Sequence, residues 1–278
     1  MATGLKIGFI GPGQMGMPMV ERMRAAGLSV KACARRPEVV DALKKIGAEV
    51  VATAAEAAAD VDVLISCLFS DNQLRDTMIN EGALAAMKPG SIFASHVTGS
   101  PALLHQLQEA RPEVTIVDAP VSGSADQIRA GQLAVMIGCE KSLVDVLQAA
   151  LGAYANPVIH VGNLGDAMKV KLINNILFAA NMQLAGAAQA LGDALGVDRT
   201  LLADTLAHCS GASRAVAILG GRPFDLMEAG TRPYLEKDVT VVAGIAAELG
   251  VTLGKLGEVA ATYNKLGQTP SGPEPEGH

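Results

Sequence analysis

The chain has 278 residues, 50% hydrophobic and only 18% charged, with a formal net charge of −6. That balance excludes an intrinsically disordered chain and suffices for one large domain or two modest ones, each with its own core. The net negative charge argues against a nucleic-acid footprint or attraction to an anionic membrane, so an anionic ligand has to be held by a local cluster of donors.

No apolar run reaches the roughly 18 residues of a membrane span, and the first residues lead straight into a strand, leaving no room for a signal peptide. The expected location is the cytoplasm. Cys33, Cys67, Cys139 and Cys209 are scattered, without a C-x-x-C or His/Cys ligand spacing, so no metal site is expected. Cys33 and Cys67 close apolar runs and read as small core residues in a reducing compartment. Tryptophan is absent and there are only five Phe and three Tyr, which disfavours a site built on aromatic stacking.

Along the first half, short apolar runs at 5–10, 28–33, 61–68, 91–95 and 114–117 read as buried strands. Helical patterns at 15–26, 37–46 and 72–87 lie between them, and Gly27, Gly47 and Gly90 close several of these segments. Strands alternating with helices at this spacing predict an α/β fold with a Rossmann-type, doubly wound parallel sheet. From residue 166 to about 195, Ala, Leu and Met recur at helical spacing, followed by shorter helical stretches at 199–208, 235–249 and 253–266. The second half therefore reads as an all-α domain, joined to the first by a helix of roughly 30 residues, or about 45 Å. The domains divide as 1–163 for the nucleotide-binding part and 164–267 for the helical part. The Pro-, Gly- and Glu-rich tail, 268–278, is expected to be disordered.

The loop Gly11-Pro12-Gly13-Gln14-Met15 and Gly16 make a G-x-G-x-x-G that follows a strand and opens a helix. In that context the first glycine permits the tight turn, the second admits a pyrophosphate, and the third lets helix and strand pack closely. Orphan N–H groups at the helix start face the phosphates. At the end of the second strand an NAD site usually carries Asp or Glu for the ribose 2′-hydroxyl. This chain has "VKACARRPE", placing Arg35 and Arg36 there, and two guanidinium groups suit a 2′-phosphate. NADP(H) is therefore expected over NAD(H).

In "VDAPVSGSADQIRAGQL", Ser122, Gly123 and Ser124 form a polar loop at the carboxyl edge of the sheet, where open α/β sheets bind ligands. A hydroxyl beside backbone N–H groups can hold a carboxylate without a net positive charge.

These segments, with "GFIGPGQMGMPM", "GNLGDAMKVKLINN" and "KDVTVVA", resemble in order and spacing the β-hydroxyacid dehydrogenase family. In motif detail they are most similar to its glyoxylate/succinic semialdehyde reductase branch. The resemblance implies that Ser122 and Gly123 bind a substrate carboxylate and that Leu68, Phe69, Thr98 and Lys237 lie along the cofactor. It also implies that Asp238 anchors the helix carrying Lys237. The chain departs from the family pattern at Ser124, Ile128, the "ASHV" loop and Ala167. Side-chain volume around Ser124 and Ile128 is expected to bear on substrate choice.

Lys169 and Lys171 are two residues apart, so on a helix they point roughly 200° away from each other and cannot serve one site. Lys171 has Asn174 and Asn175 on its face. Lys169 has Leu172 and Ile173 on its own, and is expected to snorkel to solvent or pair with Asp166. Lys171 is thus the candidate general acid/base, exchanging a proton with an alcohol oxygen while hydride moves, as a lysine can where burial in an interdomain cleft lowers its pKa. The family's lysine followed by asparagine agrees, and Asn174 and Asn175 are expected to contact substrate.

The expected activity is NADP(H)-dependent interconversion of a small hydroxy acid and its semialdehyde or oxo acid. Alternatives are an imine reductase-like NADPH enzyme, which usually lacks the lysine, and a non-catalytic cofactor-binding paralogue. The apolar helical half is expected to bury a face in a homodimer or homotetramer, with a small carboxylate as substrate and neither nucleic acid nor membrane as partner.

Overall fold

The structure is a computed structural model, described here over residues 4–266. The tail expected to be disordered, 268–278, lies outside the described residues. Nine strands form one sheet: β1 (Lys6–Ile10), β2 (Ser29–Cys33), β3 (Glu49–Val51), β4 (Val63–Ser66), β5 (Ile92–Ser95), β6 (Thr115–Asp118), β7 (Val121–Ser122), β8 (Leu133–Gly138) and β9 (Ala155–Gly162). Their order is β3-β2-β1-β4-β5-β6-β8-β7, with β9 paired to β8.

The six strands from β3 to β6 are parallel, while β8 runs antiparallel to both β6 and β7. Strands β4 and β5 are buried along their whole length, as parallel strands covered on both faces must be. The order reverses between β1 and β4, so the loops after these strands open a crevice at the carboxyl edge. Beneath it, Ile7 and Phe9 of β1 pack with Met19, Val20 and Met23 of the helix Gly16–Ala25, all fully buried.

The expected strands 5–10, 28–33, 61–68, 91–95 and 114–117 correspond to β1, β2, β4, β5 and β6. The expected helix 72–87 is not continuous. It runs as an α-helix over Asp71–Arg75 and a π-helical turn over Asp76–Asn80, and resumes at Ala83–Ala86 after Gly82, whose φ of +76° breaks it. Strands β7, β8 and β9 extend the sheet through a stretch whose sequence shows no clean alternation; β9 contains Pro157 and is largely exposed.

The helical half begins with the spine helix Asp166–Ala194. Arg199–Leu206, Arg214–Leu219, Phe224–Glu248 and Gly254–Val259 follow, then a short 3₁₀ turn at Ala261–Tyr263. Phe224–Glu248 runs through Pro233, so it starts eleven residues before the expected 235–249. The described residues divide into two compact units, one ending at Lys171 and the other starting at Leu172, inside the spine helix. In the second unit, buried Gln189 donates to the Arg222 carbonyl (2.9 Å) and accepts from the Phe224 N–H (3.0 Å), fixing the start of the long helix.

Candidate active site

The glycine loop after β1 is built as a cradle. Gly11 has φ +88°, and a Cβ there would overlap the Cys67 carbonyl oxygen; a Cβ on Gly16 would overlap the Gly11 carbonyl. Gly13 accepts the Met17 N–H at 2.8 Å, starting the first helix. Pro12 is buried, Gln14 is exposed, and the Met15 side chain packs against the core. A cavity of about 340 Å³ is lined by Gly11, Pro12 and Gly13 together with Arg35 and Arg36. A pyrophosphate on the loop and an anion beyond the end of β2 both fit this donor set.

Two further residues line that cavity: Thr77, within the π-helical turn, and Glu81, which directly follows it. The Glu81 N–H bonds to the Asp76 carbonyl at 2.8 Å, five residues back. Its carboxylate accepts from Arg35 Nη2 at 2.6 Å, while Arg35 Nε donates to the Ala52 carbonyl at 3.4 Å. The hydrogen bond and charge of Glu81 raise the Arg35 pKa above its ordinary value. Arg36 is half exposed, with Nε 3.7 Å from Glu38.

Leu68, after β4, lines the same cavity. The neighbouring Phe69 N–H donates to Gln73 Oε1 at 3.0 Å, and Ser70 caps the following helix. The loop holding Thr98 is pinned across to this one: Asp71 accepts the Ser100 N–H at 2.8 Å, and a side chain on Gly99 would overlap the Asp71 carboxylate. Thr98 itself is half-buried. Two residues earlier, His96 is 4% exposed; its Nδ1 lies 2.5 Å from the Ala119 carbonyl and its Nε2 2.7 Å from the Tyr154 hydroxyl. Burial pushes its pKa down to about 4.

Ser122 ends the two-residue strand β7, opposite Ala134 of β8. Gly123 has φ +147°, and a Cβ there would press on Gln127 and Leu133. Ser124 caps the helix Ala125–Arg129 in a reciprocal box: its hydroxyl accepts the Gln127 N–H at 3.4 Å, and Gln127 Oε1 accepts the Ser124 N–H at 3.1 Å. Ile128 is fully buried in the core of the sheet domain. It therefore cannot line a substrate pocket, which corrects the expectation that its volume bears on substrate choice.

Asp118, at the end of β6, is fully buried and accepts the N–H of Gly165 (2.9 Å) and of Met168 (2.7 Å). It thereby caps the spine helix, whose own Asp166 accepts from Asn163 N–H at 3.0 Å. Burial raises the Asp118 pKa, and the two N–H donors oppose the rise. A Cβ on Gly138 would overlap this carboxylate, so the glycine makes room for it.

On the spine helix, Lys169 is 63% exposed and its Nζ lies 2.9 Å from Asp166 Oδ1, the pairing expected for the bystander lysine. Lys171 is half-buried. In the second unit, Asn175 is 5% exposed; its amide donates to Asp238 Oδ2 at 2.7 Å and its oxygen accepts from Asn174 at 3.1 Å. Lys237 Nζ lies 3.6 Å from Asp238 Oδ1. Asp238 thus ties the helix Phe224–Glu248 to the spine through Asn175.

Sequence reasoning gave no role to Glu81, Thr77, His96 or Asp118. Only Asp118 left a local signal, an acid at the end of an apolar strand; the others are defined by partners distant in sequence. Among the described residues, no three His, Cys, Asp or Glu side chains converge as a metal site, and no helix is long and apolar enough to cross a membrane.

A glycine cradle opening a helix at the carboxyl edge of a parallel sheet, with a helical domain after it, is the architecture of a dinucleotide-binding protein. Residues 6–162 match the family profile described as the NAD binding domain of 6-phosphogluconate dehydrogenase. Residues 165–274 match the one described as NAD-binding of NADP-dependent 3-hydroxyisobutyrate dehydrogenase. The chain is 32% identical over 211 residues to L-threonate dehydrogenase of Cupriavidus necator, covering 74% of this chain and 71% of that one. It is 30% identical over 220 residues to 2-(hydroxymethyl)glutarate dehydrogenase of Eubacterium barkeri, covering 78% and 73%. The structure of 3-hydroxyisobutyrate dehydrogenase of Mycobacterium tuberculosis with L-serine superposes at a TM-score of 0.82, with 26% identity over 93% of this chain and 92% of that one. The chain belongs to the β-hydroxyacid dehydrogenase family and is an NAD(P)-dependent oxidoreductase acting on CH–OH groups.

Proposed function

We propose that this enzyme uses NADP(H) to interconvert a small hydroxy acid and its semialdehyde or oxo acid, with Lys171 as the general acid/base. The observation that carries the cofactor preference is that Arg35 and Arg36 line the same cavity as Gly11 and Gly13, at the strand end where an NAD site carries an acid. The names of the relatives support the substrate class: L-threonate, 2-(hydroxymethyl)glutarate and 3-hydroxyisobutyrate each combine a carboxylate with a hydroxyl.

The nicotinamide supplies the hydride in reduction and accepts it in oxidation. The protein's share is to hold the substrate and move one proton. Ser122 and the backbone around Gly123 bind the carboxylate by hydrogen bonds. The Ser124 oxygen is committed to its helix cap, so its hydroxyl proton is the part it offers. Lys171 donates a proton to the carbonyl oxygen in reduction and takes it back from the alcohol in oxidation. Asn174 is the exposed amide that meets the substrate. Asn175, held by Asp238, fixes Asn174. Leu68, Phe69, Thr98 and Lys237 are assigned to the cofactor by family resemblance.

The working form is a homodimer or homotetramer, supported by an apolar stripe on the spine helix: Ile173, Leu177, Leu184 and Leu191 are each 46–62% exposed.

A panel of small hydroxy acids and semialdehydes, assayed with NADPH and NADH in parallel, tests the activity. Turnover with a clear NADPH preference is expected, and an NADH preference overturns the role given to Arg35 and Arg36. Lys171→Met is expected to lower kcat by roughly a hundredfold or more, the usual contribution of a positioned acid/base. Lys169→Met should stay near wild type, and the reverse result overturns the assignment.

A further inference from the structure

The cavity at the end of β2 holds an acid that the strand itself lacks. Where an NAD site has Asp or Glu, this chain has Ala34, Arg35 and Arg36. Yet Glu81, which directly follows the π-helical turn Asp76–Asn80, lines the same cavity. It is the only carboxylate among the described residues lining that space. Inserted π turns recur at functional sites because they re-aim the residues that follow.

Here the turn brings Glu81 Oε2 to 2.6 Å from Arg35 Nη2. The guanidinium that a 2′-phosphate needs is therefore already engaged by an internal anion. A phosphate binding at Arg35 has to displace Glu81 or share the guanidinium with it, at close range to a like charge. A ribose 2′-hydroxyl meets no such conflict, since it can donate to a carboxylate.

We propose that Glu81 is a specificity-determining residue that competes with the 2′-phosphate for Arg35 and so narrows the enzyme's discrimination between NADP(H) and NAD(H). The inference rests on the cofactor reading of this cavity. Arg36, whose contact to Glu38 is longer at 3.7 Å, is the second cation for the phosphate.

The test is binding, not turnover: titrate NADPH and NADH separately into wild type, Glu81→Gln, Arg35→Met and the double variant, reading Kd from the fluorescence of the bound nicotinamide. Glu81→Gln is expected to tighten NADPH roughly fivefold, the scale of a partly exposed charge interaction, with NADH unchanged or weaker. In the Arg35→Met background the gain should shrink to less than about twofold, because the contested group is gone. Glu81→Ala, carried alongside, should move the ratio the same way, so the result does not hang on the folding of one variant. NADPH affinity that is unchanged or weaker in both Glu81 variants overturns the inference. So does an equal gain without Arg35, which would reduce Glu81 to diffuse repulsion. The cofactor reading fails on a different number, a wild-type Kd lower for NADH. The Glu81 effect is a ratio of variant to wild type and is scored apart from it.

Discussion

His96 shows how a single buried residue writes a pH dependence into this fold. A carbonyl can only accept, so Nδ1 carries the proton toward Ala119 and Nε2 accepts from the Tyr154 hydroxyl. Protonating Nε2 would place a charge among buried groups, which is why the pKa falls to about 4 from 6.5, against the Ala119 hydrogen bond that favours the charged ring. The unfolded chain binds that proton more readily, so the stability His96 lends is complete above about pH 6.5 and is lost as the pH falls to about 4. The span corresponds to on the order of 3 kcal/mol. Urea denaturation across that window should show a shallower loss of stability for His96→Gln than for wild type, although the variant is less stable at neutral pH. Parallel curves would remove His96 from the acid response.

At the scale of elements, the spine helix is anchored by a residue that belongs to the sheet. Asp118 closes β6 and caps the helix carrying Lys171, so strand and helix share one carboxylate. Asp118→Ala would leave two buried N–H groups without an acceptor, a loss on the order of 2–3 kcal/mol. Denaturant melts should show that loss, with kcat falling alongside and Asp118→Asn recovering part of both. A stable, fully active Asp118→Ala would sever the cap from the role proposed for Lys171.

The same contacts explain what was legible in the sequence. The glycine loop and the parallel core could be read because their signals are local: three glycines within six residues, and apolar runs between amphipathic ones. The spacing of Lys169 and Lys171 separated their faces, and a pair between Lys169 and Asp166, three residues apart, was one of the two outcomes expected of Lys169. Asp118 meets Gly165 across 47 positions, Arg35 meets Glu81 across 46, and His96 meets Tyr154 across 58. No window of sequence contains both halves of such a pair. Likewise Gly82 and Pro233 mislead in opposite directions: the glycine breaks a helix that reads as continuous, and the proline sits inside one that reads as starting after it.

At the scale of the whole molecule, the proposed self-association is tested on the apolar surface of the spine helix. Ile173, Leu177, Leu184 and Leu191 are spaced by four, seven and seven residues, so they lie along one face, and each is 46–62% exposed. Four large aliphatic side chains in a row on one helix are unusual for a surface that stays in water. A stripe at this spacing suits packing against a second helix, and a second copy of the chain supplies an identical one. The double substitution Leu184→Glu and Leu191→Glu puts two charges on that face without entering either core. Sedimentation velocity should then show wild type as a dimer or tetramer and the double variant as a single chain, with far-UV dichroism unchanged. If wild type sediments as a single chain, or the double variant stays assembled, the stripe is not the interface.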